Sequence, residues 1–191
     1  MGFQIAAAVI LIVFYVIYYG KVFSQKKQGV TTIQVGRDKK GPDKIIEKLM
    51  MLASVVVMLA EVASILLNAS MLPSWARVLG IVLGAAGCGI FLSAILTMKD
   101  NWRAGVSSDK TDLVTGGIYA YSRNPAFLGF DLVYGGVLLL FFNWPLFLIT
   151  VWTAVMFHLQ IVKVEEPFLE KTFGKAYTNY KQHTGMYFGR K

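Results

Sequence analysis

Two short stretches combine charged side chains with residues that start or stop helices. The first is Arg123-Asn124-Pro125. Asparagine favours the N-cap, and proline suits the first helical position because its missing N–H would have no partner there. A helix should therefore begin at Pro125, with Arg123 beside its positive end, where free N–H groups and the helix dipole attract an anion. The second stretch is Glu165-Glu166-Pro167. Its adjacent carboxylates repel each other and would be eased by a bound cation, or by capping a new helix whose dipole favours them. Pro167 disfavours helical geometry at Glu166, so one helix should break here and another begin. Arg123-Asn124-Pro125 and Glu165-Glu166-Pro167 read as two walls of one pocket.

The elements that must hold these walls are apolar. The sequence is 55% hydrophobic and 16% charged, with a mean hydropathy of +0.55, whereas soluble domains carry about 25% charge. Runs from Phe3 to Tyr19, Ile45 to Asn68, Trp75 to Met98, Pro125 to Phe142 and Trp144 to Val164 approach or reach the roughly 20 residues that cross a bilayer. Asn143-Trp144-Pro145 joins the last two as a hairpin. The expectation is an all-α, polytopic membrane protein with about five transmembrane helices and a C-terminal cytoplasmic amphipathic helix. It forms one membrane domain, with three spans in residues 1–98 and the chemistry in 99–191. Gly80 and Gly84, at small-xxx-small spacing in the third run, predict close helix packing.

Charge sets the orientation. Segments 21–48, 99–123 and 163–191 carry 8, 4 and 6 of the 19 lysines and arginines, leaving Arg77 on the other face. The positive-inside rule places those segments in the cytoplasm and the N-terminus outside. Lys21, Lys26 and Lys27 follow the first run, the reverse of a secretory signal, so it reads as a retained span. This pattern accounts for the net charge of +8 without nucleic acid. Cys88 is alone, so there is no disulfide framework, and His158 and His183 are too far apart in sequence to suggest a metal site.

Polar groups within the runs need a reason, because a charge at mid-bilayer costs about 2.5–3.5 kcal/mol on insertion scales. Glu61 reads as a hydrogen-bonding contact to a neighbouring helix. Asp131, six residues into the fourth run, lies roughly 9 Å deep. His158 and Gln160 sit in the inner half of the fifth run, and His158 and Glu165, seven apart, share a face of a regular helix. Asp131 and His158 thus approach one mouth as candidate catalytic groups. From Pro167 onward, Leu169, Phe173, Tyr177 and Tyr180 recur at helical spacing with lysines between them, the pattern of an amphipathic helix lying at the interface and equally of a packing stripe that covers the cytoplasmic ends of the spans.

In order, Leu113-Val114-Thr115-Gly116-Gly117-Ile118-Tyr119, Arg123-Asn124-Pro125, Glu165-Glu166-Pro167-Phe168-Leu169 and Phe173-Gly174-Lys175-Ala176-Tyr177-Thr178-Asn179-Tyr180 resemble the isoprenylcysteine carboxyl methyltransferase and phospholipid methyltransferase superfamily. Asn101-Trp102-Arg103 is similar to bacterial members. The resemblance covers roughly residues 99–183. It implies S-adenosylmethionine as cofactor and an amphiphilic or lipidated acceptor that enters from membrane lipid, with no metal. It implies that Gly117, Tyr119, Arg123, Asn124, Pro125, Leu128, Glu165, Glu166 and Tyr177 bind the cofactor. Arg123, Asn124 and Pro125 would face its methionine and sulfonium part, Glu165 and Glu166 its amino group or ribose hydroxyls, and the tyrosine-bearing tail its adenine. Trp102, Arg103 and Phe127 would meet the acceptor, and Arg123, Asp131 and His158 would act in catalysis. The family motif commonly reads Arg-His-Pro with a tyrosine following; here Asn124 and Phe127 take those places, so any role of Phe127 is apolar.

Methyl transfer is an in-line displacement that needs positioning and exclusion of water. A carboxylate acceptor needs no base, whereas a phospholipid amine must lose a proton, for which Asp131 or His158 is the candidate. Sterol reductases using NADPH resemble the same C-terminal half, and a non-catalytic membrane scaffold is the remaining alternative.

Overall fold

A computed structural model describes residues 1–36, 39–106 and 111–190. Arg37, Lys110 and Lys191, counted in the charge pattern above, lie outside the described residues. The long helices are α1 (Gly2–Lys27), α2 (Pro42–Leu67), α3 (Ser74–Met98), α4 (Pro125–Leu140) and α5 (Trp144–Gln160). A π turn, Ile161–Glu165, leads from α5 into α6 (Glu166–Phe173), and α7 (Lys175–His183) follows. Among the described residues, four segments are long and apolar enough to cross a membrane: α1, α2, α3 with its 3-10 extension, and the continuous rod Trp144–Phe173. The fourth expected span is a shorter apolar helix of 16 residues, roughly 24 Å at 1.5 Å per residue. Ile5, Ile12 and Val16 on α1, Leu59 and Leu66 on α2, and Leu148 and Val155 on α5 are exposed. Outward apolar rows on this scale suit lipid, and the chain is an integral membrane protein.

The expected break at Glu166 does not occur. Proline within a helix clashes with the carbonyl four residues back and removes an N–H. The π turn directly before Pro167 widens the ladder there, so the helix runs on. A widened turn also rotates the residues beyond it. His158 therefore faces outward while Glu165 turns toward the cavity described below, and the two do not share a face. The expected single amphipathic helix is instead two, α6 and α7, meeting at Gly174 with φ +53.

α3 and α4 meet along glycines. A Cβ on Gly80 would lie 2.6 Å from the Gly136 carbonyl oxygen, and one on Gly87 2.8 Å from that of Gly129. Gly84 faces Ile10 of α1 and the backbone at Gly136. Gly136→Ala would put a methyl group 2.6 Å from the Gly84 nitrogen and 2.7 Å from the Gly80 oxygen. The two backbones must then separate, at a cost of about 1–3 kcal/mol. A fall of about 2–12 °C in the thermal midpoint of the solubilised protein is expected. Gly89→Ala, with nothing within 4 Å of the new carbon, should leave the midpoint unchanged and serves as the control.

Asn143 caps α5 by accepting from the Leu146 N–H at 2.9 Å, and its amide donates to Ser64 at 3.0 Å, forming the expected hairpin. Glu61 departs from expectation. It is fully buried, and among the described residues neither carboxylate oxygen has a hydrogen-bond partner. An aromatic core of Phe14, Phe91, Phe130 and Trp102, with ring centroids 4.7–6.0 Å apart, fills the bundle toward the end that carries the basic loops.

Candidate functional site

A cavity of about 350 Å³ lies at that end of the bundle, a size suited to a small molecule. Among the described residues its charged lining consists of Arg103, Arg123 and Glu165. Trp102, Tyr119, Asn124 and Phe127 also reach it, so seven of the residues singled out in the sequence share one wall system. The opposite wall was not anticipated: Tyr15 and Tyr18 of α1 and Met50, Met51, Val55 and Met58 of α2. In the sequence these looked like lipid-facing or core positions, since an apolar lining residue and an apolar packing residue carry the same signal.

Arg123 is buried and engaged by the protein itself. Its Nη2 donates to Glu166 Oε1 at 2.5 Å, and its Nη1 to the carbonyl oxygens of Thr184 at 2.6 Å and Lys181 at 3.3 Å. Lys181 Nζ stands 2.7 Å from the other Glu166 oxygen. The Glu166 carboxylate is thus neutralised by the chain's own cations rather than left for a bound one, and Glu166 is not among the cavity-lining residues. The helix that begins at Pro125 forms as expected, but the Asn124 side chain does not cap it. Its amide donates to the Met186 carbonyl at 3.1 Å, tying the C-terminal tail across the start of α4. Arg123 Nε and Gln160 Oε1 are buried polar atoms without a hydrogen-bond partner among the described residues.

The remaining sequence candidates lie off the cavity wall. Gly117, with φ +58, is exposed; a Cβ there would sit 2.9 Å from the Thr97 side chain, so the residue serves the packing of its turn. Pro125 and Leu128 are buried in α4, and Tyr177 is buried with its ring 6.1 Å from that of Tyr180. Tyr180 donates to the Tyr119 carbonyl at 2.6 Å, which docks α7 onto the turn holding Tyr119. His158 is exposed, with Nδ1 3.1 Å from the Tyr187 hydroxyl. Burial, then Asp131 and Glu166, push the Tyr187 phenol up, so Asp131 and His158 do share a neighbour, away from the cavity lining. Burial chiefly, with Tyr180 and Glu165, holds the Tyr119 phenol well above its ordinary range, and burial and Glu166 do the same for Tyr177. Tyr119 is therefore a neutral hydroxyl beside the cavity.

Glu47 escaped the sequence reading altogether. It is fully buried near the start of α2, paired with Lys39, and it accepts from the Gly36 N–H at 2.5 Å and the Gln160 amide at 3.3 Å. The same Gln160 amide lies 3.4 Å from Glu165 Oε1. A glutamate one turn into a polar-flanked helix looks like a solvated residue, and no local signal sets it apart.

Protein-S-isoprenylcysteine O-methyltransferases are among the relatives of this chain. That of Tribolium castaneum is 29% identical over 117 residues, covering 58% of this chain and 41% of the relative. The Xenopus laevis protein is 31% identical over 121 residues (60% and 42%), and the Dictyostelium discoideum protein 33% over 93 residues (47% and 39%). The chain thus spans about two fifths of the length of these relatives. Residues 75–176 match the profile of the phospholipid methyltransferase family. That match runs from the start of α3 into α7, so it takes in the glycine seam, Arg123 and Glu165 together, and covers more than half of the sequence: the chain belongs to the phospholipid methyltransferase family.

Proposed function

We propose that this protein is an S-adenosylmethionine-dependent methyltransferase that esterifies the carboxylate of an amphiphilic, isoprenylcysteine-like acceptor at the cytoplasmic face of the membrane. The observation that carries the reading is a single cavity that joins one carboxylate, two guanidinium-bearing side chains and a methionine-rich apolar wall. The basic loops at this end support the cytoplasmic orientation.

The residues present fit the cofactor. Glu165 would hold its ammonium or ribose hydroxyls, and Arg123, which lines the cavity, has at Nε a donor without a partner among the described residues. When bound, the cofactor supplies an electrophilic methyl group on a sulfonium sulfur. Arg103 suits the acceptor carboxylate, and Met50, Met51 and Met58 give a deformable apolar track for its lipid chain. Transfer of a methyl cation to a carboxylate removes one positive and one negative charge, so walls that exclude water favour it over the separated ions. Positioning by Arg103 and Glu165 supplies the remainder.

This acceptor needs no base, which agrees with Asp131 and His158 standing off the cavity wall. Asp131→Asn and His158→Ala are each expected to retain turnover within threefold, measured as labelled methyl transfer to an isoprenylcysteine acceptor. A tenfold loss from either would shift the reading to an amine acceptor such as a phospholipid. The defining test offers labelled cofactor with an isoprenylcysteine and with a total lipid extract, and identifies the product. Calorimetry complements it: S-adenosylhomocysteine should bind and NADPH should not. Binding of NADPH alone would indicate a reductase, and binding of neither a scaffold.

A further inference from the structure

Two loops lie side by side over the polar end of the cavity. Ala104 forms a parallel bridge with Ile33, with the Gln34 N–H donating to the Ala104 carbonyl at 2.8 Å and the Ala104 N–H to the Thr32 carbonyl at 3.0 Å. Ile33 and Val35 from one loop and residues 102–106 from the other line the cavity, so the pair forms its roof. One end of the roof is stitched by the buried Gln25, whose amide donates to the Trp102 carbonyl at 3.1 Å and whose oxygen accepts from Thr32 at 2.7 Å. The other end converges on Glu47. Its Oε2 accepts from the Gly36 N–H, and its Oε1 lies 3.4 Å from the Val106 N–H, beside Lys39. Oε1 also receives the Gln160 amide, which reaches Glu165 as well. One carboxylate thus touches both roof loops and, through one buried amide, the acid of the cavity wall.

We propose that Glu47 is a positioning residue that fastens the roof and, through Gln160, sets the orientation of Glu165. The second half rests on the cofactor reading given above; the first does not. Among the described residues every group converging on Glu47 is a donor, and a buried donor without an acceptor is costly. Glu47→Gln keeps the shape, removes the charge and places an NH2 group among those donors, so the roof loosens without a cavity being made. Gln160→Leu removes the amide that Glu47 and Glu165 share and leaves the Gly36 and Val106 contacts of Glu47 in place. Neither side chain lines the cavity, so the expected signature is loss of cofactor affinity with chemistry largely preserved.

The test is made on the full chain in lipid nanodiscs. Hydrogen exchange of the ligand-free protein should quicken at least tenfold at the Gly36 and Val106 amides in Glu47→Gln, with α3 and α5 amides unchanged as the folding control. The dissociation constant for S-adenosylhomocysteine and the cofactor KM should each rise about tenfold in Glu47→Gln and in Gln160→Leu, with kcat altered less than threefold. The double variant should show about tenfold again rather than a hundredfold, because both changes break one chain of contacts. Unchanged exchange at Gly36 and Val106 overturns the roof attachment. Multiplying effects in the double variant, or a fall in kcat at constant KM, overturn the link to Glu165. If the wild type binds no S-adenosylhomocysteine, the cofactor reading and that link both fall, while the exchange result still decides the roof.

Discussion

Arg123→Leu is expected to abolish detectable methyl transfer, a loss of at least a hundredfold, and to lower stability by about 3 kcal/mol. Removing one partner of a buried ion pair costs about 3–5 kcal/mol. The lower end applies because Lys181 remains 2.7 Å from the Glu166 carboxylate. The larger effect on activity follows from what else Arg123 holds. Its guanidinium joins α6 to the tail through the Thr184 carbonyl, and the tail in turn receives the Asn124 amide at Met186. Without it, α6 and the start of α4 lose their common tie, and Asn124 and the adjoining cavity wall shift. Arg123→Lys keeps the charge but cannot bridge a carboxylate and two carbonyls in one plane. It should recover part of the stability and little of the turnover. Thermal unfolding and labelled transfer on the same preparations separate the two effects; turnover within threefold of wild type in Arg123→Leu would show that the clamp is dispensable.

Glu165→Gln is expected to weaken S-adenosylhomocysteine binding by about 3 kcal/mol, on the order of a hundredfold, with little change in melting temperature. Truncating one side of a buried charge contact on binding costs about 2–5 kcal/mol, and Glu165 is the acidic member of the described cavity lining. The small effect on folding follows because its hydrogen-bond partner among the described residues, the Gln160 amide at 3.4 Å, can also be met by the oxygen of a glutamine. The matching Glu166→Gln change should behave oppositely, lowering the melting temperature first, since Glu166 neutralises Arg123 and Lys181 inside the protein. Calorimetry beside a thermal melt distinguishes the adjacent glutamates. Equal effects of the two substitutions on affinity would defeat the division of labour drawn here.

Much of this protein is written locally. Runs of apolar residues long enough for a bilayer, Pro125 and Pro145 at helix starts, and Gly80 and Gly84 at small-xxx-small spacing are near-neighbour patterns, and they fix helices and their closest packing. The meeting of Arg123, Asn124 and Glu165 at one cavity was legible because two short stretches carry opposite charge beside helix boundaries. Three outcomes were not local. The π turn before Pro167 is a compromise between a ring that breaks the helix ladder and a continuous rod that packs on α2, and it alone decides that Glu165 faces inward and His158 outward. The buried guanidinium that pairs with Glu166 comes from 43 residues away, and the amide that links Glu47 to Glu165 from 113 residues away from Glu47. Sequence shows that a carboxylate needs a partner, but only the folded chain decides whether that partner is a bound molecule or another part of the same protein, because burial and distance are properties of packing rather than of order along the chain.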